Sequence, residues 1–143
     1  MKNIIITGGL GYIGTELCKI YSGYSWNDKI TVIDNRFLSE RVNQLRKWDI
    51  NFVHGDILDK DLVNKYFSEA NIVHHLAGIT DVPRVKSEVN KEKEDLIQIV
   101  AKEGTQNILD VIGPNCKIIM PSTHVVYEGL EKIKKNIREE EKT

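Results

Sequence analysis

The sequence is short of the features that would take it away from ordinary globular proteins. Cysteine occurs only twice, as Cys18 and Cys116, far apart and without metal-ligand spacing. That excludes a disulfide scaffold and a cysteine-based metal centre, and predicts two reduced, partly buried thiols. Charge of one sign is also lacking: the net value of -1 exerts no global pull on nucleic acid or an anionic membrane. No apolar run approaches the length of a membrane span. The N-terminal stretch Ile4-Ile5-Ile6 ends at once in Thr7-Gly8-Gly9, too short for a signal peptide, so cytoplasmic residence is expected. Internal repeats and low-complexity linkers are absent.

What remains is enough for one compact domain with a core: 143 residues, 41% hydrophobic and 29% charged. Short apolar runs alternate with longer amphipathic stretches, the pattern of repeated βα units around a parallel sheet. Strands are predicted over 3–7, 29–33, 50–54, 71–75 and 117–120. Helices are predicted over 11–22, 40–47, 59–67 and 92–112, with Asp59 as a cap and Gly113-Pro114 as a stop. On the first helix Ile13, Leu17, Ile20 and Tyr21 form an expected inward stripe. On the long helix Leu96, Val100, Gly104, Ile108 and Val111 fall on one side. The charged segment 129–143 reads either as a solvated tail or as a short helix lined by Leu130, Ile133 and Ile137.

The most informative motif is Gly9-Leu10-Gly11-Tyr12-Ile13-Gly14, a G-x-G-x-x-G between the first strand and first helix. That context is what dinucleotide binding requires. Gly9 is expected to make the tight turn, Gly11 to let the backbone approach a pyrophosphate, and Gly14 to let the helix pack closely. The pyrophosphate would rest on the free N–H groups and positive dipole of the helix N-terminus. Asp34 lies 20 residues after Gly14, at the end of the second strand, where a carboxylate accepts from ribose hydroxyls. A carboxylate there repels a 2′-phosphate and favours NAD over NADP, while Arg36 could accommodate that phosphate. The expected fold is a Rossmann-type, doubly wound α/β domain of three layers, about five parallel strands in order 3-2-1-4-5.

At these residues the chain resembles the extended short-chain dehydrogenase/reductase family, which includes nucleotide-sugar epimerases and dehydratases. The resemblance begins at Thr7-Gly8-Gly9-Leu10-Gly11-Tyr12-Ile13-Gly14 and continues at Gly55-Asp56-Ile57, His75-Leu76-Ala77-Gly78, Gly104-Thr105, Ser122-Thr123 and Val126-Tyr127. These motifs follow the family's order as far as Tyr127. The resemblance implies an NAD-binding domain over 1–128, with Thr7, Gly8, Gly9, Gly11, Tyr12, Ile13, Gly14, Asp34 and Asn35 at the cofactor. It adds Asp56 as partner of the adenine amino group, Ile57 as an apolar wall, and Leu76, Ala77 and Gly78 beside the nicotinamide ribose. Thr123 falls on the catalytic Ser/Thr that hydrogen-bonds the reacting sugar oxygen. The implied chemistry is reversible hydride transfer, with a tyrosine moving the hydroxyl proton and a lysine lowering its pKa.

The chain departs from that pattern where the catalysis should be. No tyrosine has lysine four residues on: Tyr12, Tyr21, Tyr24, Tyr66 and Tyr127 are followed there by Glu16, Ser25, Asp28, Ala70 and Glu131. The charged segment 129–143 ends about where the resemblance would place the catalytic helix. His124-Val125 replaces the dehydratases' Asp-Glu, which argues for epimerase or reductase chemistry. Ala101 stands where the family often has Asn, and Glu128 interrupts its V-Y-G. His74 and His75 are strand neighbours on opposite faces, which suits structural roles rather than a shared metal. Ser122-Thr123-His124 lacks a G-x-S-x-G elbow, and no Gly-Lys-Ser/Thr follows the glycines.

The expected function is therefore NAD binding as the N-terminal part of an epimerase-type oxidoreductase, without turnover by this chain alone. A nucleotide-sugar would be a partner only in a longer context. The rivals are a non-catalytic dinucleotide-binding or sensor protein acting through a partner, and an enzyme completed by another chain. An uncovered fifth strand predicts self-association.

Overall fold

The computed structural model describes residues 1–24, 27–79 and 91–122. Five parallel strands run β1 (Asn3–Thr7), β2 (Lys29–Asp34), β3 (Asn51–His54), β4 (Ile72–His75) and β5 (Lys117–Ile119), in the order β3-β2-β1-β4-β5. The order, the parallel pairing and the positions of all five strands match the sequence expectation, with ends differing by one residue at most. In register, Ile6 of β1 lies between Val32 of β2 and His74 of β4.

Strand alternation divides the core into two layers. Ile4 and Ile6 point to the face covered by α1 (Tyr12–Ser22) and α2 (Ser39–Lys47), where they bury against Cys18, Val42 and Leu45. Ile5 points to the other face, with Val63 and Phe67 of α3 (Lys60–Phe67) and Ile108 of α5 (Thr105–Val111). Helices on both faces of a parallel sheet make three layers. Asp59 caps α3 as expected, its carboxylate accepting from the N–H of Asp61 at 3.0 Å and Leu62 at 3.1 Å. Among the described residues no helix is long and apolar enough to cross a membrane.

Two helical expectations need correction. On α1 Ile13 and Ile20 point outward, 62% and 56% exposed, and the inward side is Gly14, Leu17, Cys18 and Tyr21. Close approach of Gly14 to the preceding turn rotates the helix so that this narrower, smaller side faces the sheet. The long helix is also not one regular element. It consists of α4 (Lys91–Ile99), a π-helical turn at Val100–Gly104, and α5. The wider π turn keeps Val100, Gly104 and Ile108 on the same side, where a regular helix would drift at four-residue spacing. Leu96, before that turn, is exposed. Cys18 and Cys116 are free thiols, and burial pushes Cys18 up to about 12, so it is inert. Thr123, His124, Val126, Tyr127 and the 129–143 segment with Leu130, Ile133 and Ile137 lie outside the described residues.

Candidate functional site

The strand order reverses between β1 and β4, and the loops at their C-terminal ends open a cleft of about 630 Å³. This is the position at which open α/β sheets bind ligands. The cleft is lined by Gly8, Gly11, Tyr12, Ile13, Gly14, Asp34, Asn35, Asp56, Ile57, Leu76, Ala77 and Gly78. Of the residues expected there, Thr7 and Gly9 lie beneath it instead.

The glycine turn divides its labour differently from the motif's usual reading. Gly8, not Gly9, takes the left-handed conformation, with φ 66°. A Cβ on Gly8 would come within 2.8 Å of the Leu76–Ala77 peptide, so glycine is required twice over. A Cβ on Gly14 would lie 2.5 Å from the Gly9 Cα, which is how α1 starts directly against the turn. The first α1 hydrogen bond runs from the Thr15 N–H to the Gly11 carbonyl at 2.9 Å. The N–H groups of Tyr12, Ile13 and Gly14 therefore have no intrahelical acceptor. No side chain caps this end, and its first turn carries no acidic residue. A bare helix N-terminus facing a cleft favours an anion.

Asp34 ends β2 only 4% exposed. Its Oδ2 accepts from the Leu10 N–H at 3.0 Å and its Oδ1 from the Arg36 N–H at 3.0 Å. The Arg36 guanidinium closes on the same carboxylate, Nε to Oδ1 at 3.2 Å. At the neighbouring strand end, Asp56 accepts from the Leu58 N–H at 2.9 Å and from the Asn35 side-chain amide at 3.0 Å. The two carboxylates stand on one wall of the cleft, each held by local backbone.

The opposite wall hangs on Thr7. Its hydroxyl oxygen accepts from the N–H of Leu76 at 3.1 Å and of Ala77 at 3.0 Å. Both lone pairs are then used, and the hydroxyl proton donates to His75 Nδ1 at 2.9 Å. The proton of His75 must sit on Nε2, which donates to the Thr105 hydroxyl at 3.0 Å. Burial holds the His75 pKa below its ordinary value, which suits this neutral tautomer. Gly104 lets the π turn reach the loop after β3, since a Cβ there would meet Ile57 at 2.4 Å. Asn107 then donates to the Ile57 carbonyl at 3.1 Å. His74, on the other face, meets the Tyr21 hydroxyl at 2.8 Å. Among the described residues no cluster of His, Cys, Asp or Glu could hold a metal.

Sequence reasoning missed Val100, Ile79 and Pro121, which also line the cleft. Val100 reaches it through the π turn, which periodicity does not reveal.

A model of the 3-beta hydroxysteroid dehydrogenase/isomerase family matches residues 5–142, nearly the whole chain. The chain belongs to that family. Its relatives include CDP-paratose 2-epimerase of Salmonella typhi, 31% identical over 93% of this chain and 40% of that protein. UDP-glucose 4-epimerase of Bacillus subtilis is 38% identical over 55% of this chain and 25% of that protein. The resemblance to extended short-chain dehydrogenase/reductases is thus borne out at the level of family. In fold, the chain is similar to the crystal structure of UDP-glucose-4-epimerase from Stenotrophomonas maltophila, with bound NAD and formylated UDP-arabinopyranose. The TM-score is 0.77 at 19% identity, covering 100% of this chain and 43% of that one. The chain spans less than half the length of each of these proteins.

Proposed function

We propose that this chain is the NAD-binding part of a nucleotide-sugar epimerase-type oxidoreductase, and that alone it binds cofactor without turning over a sugar. The observation that carries the reading is the pairing of a bare α1 N-terminus with the buried Asp34 carboxylate across one cleft. The first fits a pyrophosphate and the second the adenosine ribose hydroxyls. Asp56 and Ile57 border the adenine end, and the loop Leu76-Ala77-Gly78 the nicotinamide ribose. NAD bound there supplies a hydride acceptor. The protein's residues bind and orient it, and 1–128 forms the binding domain.

Turnover would also need a group to move the hydroxyl proton. Thr123 would hydrogen-bond the sugar oxygen, but the sequence contains no Tyr-x-x-x-Lys to complete the set. A nucleotide-sugar is then a partner of the longer assembly only. Cytoplasmic residence belongs to the same reading. So does self-association: among the described residues β5 is the last strand in the order, and Ile119 and Met120 border an apolar groove with Ile13 and Ile20 of α1.

Calorimetric titration of NAD tests the binding. Saturable binding is expected, weakened by about tenfold or more in Asp34→Asn, the scale of a charge-assisted hydrogen bond. No binding by a folded wild-type chain would leave the glycine turn as a structural feature only. The rival of a dinucleotide sensor shares this binding, and is favoured if NAD changes capture of a partner protein.

A further inference from the structure

The cofactor reading leaves unexplained why the cleft wall at Leu76-Ala77-Gly78 hangs on a buried histidine. Thr7 is fully buried and His75 is 2% exposed. A hydroxyl has one proton and two lone pairs. In Thr7 both lone pairs face the N–H groups of Leu76 and Ala77, so its proton goes to His75 Nδ1, 2.9 Å away. This set closes for one protonation state alone. A neutral His75 with its proton on Nε2 accepts from Thr7 and donates to Thr105 at 3.0 Å. A protonated His75 donates from both ring nitrogens. The Thr105 bond survives that change, but Thr7 then faces a third donor and its own proton loses its acceptor.

The consequence falls on the wall. The Leu76 N–H also reaches the Thr7 backbone carbonyl at 3.2 Å, whereas the Thr7 hydroxyl is the one acceptor of the Ala77 N–H among the described residues. A Thr7 hydroxyl turned to accept from His75 therefore releases Ala77. That peptide cannot shift without disturbing the glycine turn, since a Cβ on Gly8 would come within 2.8 Å of it. Gly8 and Ala77 both line the cleft. Among the described residues no charge stands ready to offset a proton on His75. β1 carries no ionisable side chain, Lys102 and Glu103 of the π turn and Asp110 of α5 are exposed, and Asp34 and Asp56 stand on the other wall. Cys116, in the same core layer, stays a neutral thiol because burial raises its pKa. Lys117 acts on His74, on the opposite face.

We propose that His75 is a positioning residue for the cofactor: its neutral form aims the Thr7 hydroxyl so that the Leu76-Ala77-Gly78 wall holds the nicotinamide ribose, and protonation releases that wall. This rests on the dinucleotide reading above. NAD and a proton on His75 then oppose one another reciprocally, acid weakening NAD and NAD expelling the proton. Burial already lowers the His75 pKa from 6.5. Affinity is therefore constant at and above neutral pH and falls below about pH 6.5, by at most about tenfold per pH unit.

The test is calorimetric titration of NAD into the 143-residue chain from about pH 7.5 to about pH 5.5, above the range in which ordinary carboxylates protonate. Wild type is expected to lose about threefold or more in affinity and, at the acid end, to release protons on binding, read from buffers of different ionisation enthalpy. His75→Gln can accept from Thr7 and donate to Thr105 but does not titrate. It is expected to bind within about threefold of wild type at neutral pH, with no pH dependence. His75→Leu is expected to weaken NAD by about tenfold or more at neutral pH, the scale of a buried group left unpaired. His74→Gln keeps the wild-type profile. The proposal is overturned by a flat wild-type profile, by a wild-type slope in His75→Gln, by loss of the slope in His74→Gln, or by undiminished affinity in His75→Leu. Should either His75 variant not fold, the wild-type profile and the His74→Gln control decide. No NAD binding at any pH overturns the dinucleotide reading and this one with it, whereas binding with a flat profile overturns this one alone.

Discussion

Thr7 sits at the end of β1, out of contact with the cleft, yet its hydroxyl holds two N–H groups of the loop that forms one wall. Thr7→Val keeps the volume and leaves the Ala77 N–H and His75 Nδ1 without their partner, while the Leu76 N–H keeps the Thr7 backbone carbonyl at 3.2 Å. It is expected to cost about 1–3 kcal/mol, from one donor left unpaired, read as a shift in the urea midpoint. The histidines give a pH dependence with a definite sign. Burial lowers the pKa of His75, and burial with Lys117 lowers that of His74, both from 6.5. The folded state then binds fewer protons than the unfolded state once the pH falls below about 6.5. Stability is expected to be flat in this respect above that pH and to decline below it, toward the lowered folded values. Urea titrations at several pH values check it, and His75→Gln should flatten part of the decline.

At the scale of elements, α1 and α3 begin in opposite ways. Asp59 satisfies two N–H groups at the start of α3, whereas α1 begins with none of its own satisfied by a side chain. Asp59→Ala is expected to lose about 1 kcal/mol by chemical denaturation, with no change in cofactor affinity. Ile13→Glu should do the reverse. A carboxylate in the first turn of α1 favours the helix by about 0.5 kcal/mol and repels a pyrophosphate, so NAD affinity falls while stability holds. Equal NAD affinity in this variant would count against the α1 N-terminus as the anion site. The π turn is a further device of this scale. It keeps Val100 packed against the same core cluster as Ile108 while Val100 also lines the cleft.

For the molecule as a whole, the apolar groove between α1 and the end of β5 is the exposed counterpart of the polar cleft. Tyr12 and Ile13 border both. Self-association is expected at micromolar concentration by sedimentation velocity, and Met120→Lys should shift the distribution toward monomer. A strictly monomeric wild-type chain would sink that reading. NAD binding should be unaffected by Met120→Lys, since Met120 does not line the cleft.

Alternating apolar runs and their punctuation sufficed for the strands, their order and the two faces of the sheet. Burial of Ile4, Ile5 and Ile6 demands the same solution in any βα repeat. The glycines and Asp34 were legible as a site because close backbone approach and a strand-end carboxylate leave marks at fixed spacing. The outward turn of Ile13 and Ile20 was not, because periodicity gives a helix a preferred side without saying how closely it packs. Gly14 against Gly9 decides that. Nor does spacing disclose that Gly8 carries the left-handed turn, that Thr7 fixes the tautomer of His75, or that Arg36 covers Asp34. Each depends on atoms from separate strands and loops meeting within hydrogen-bond range. The residue types and elements were written along the chain, but which polar atoms satisfy one another was decided only when folding removed water from between them.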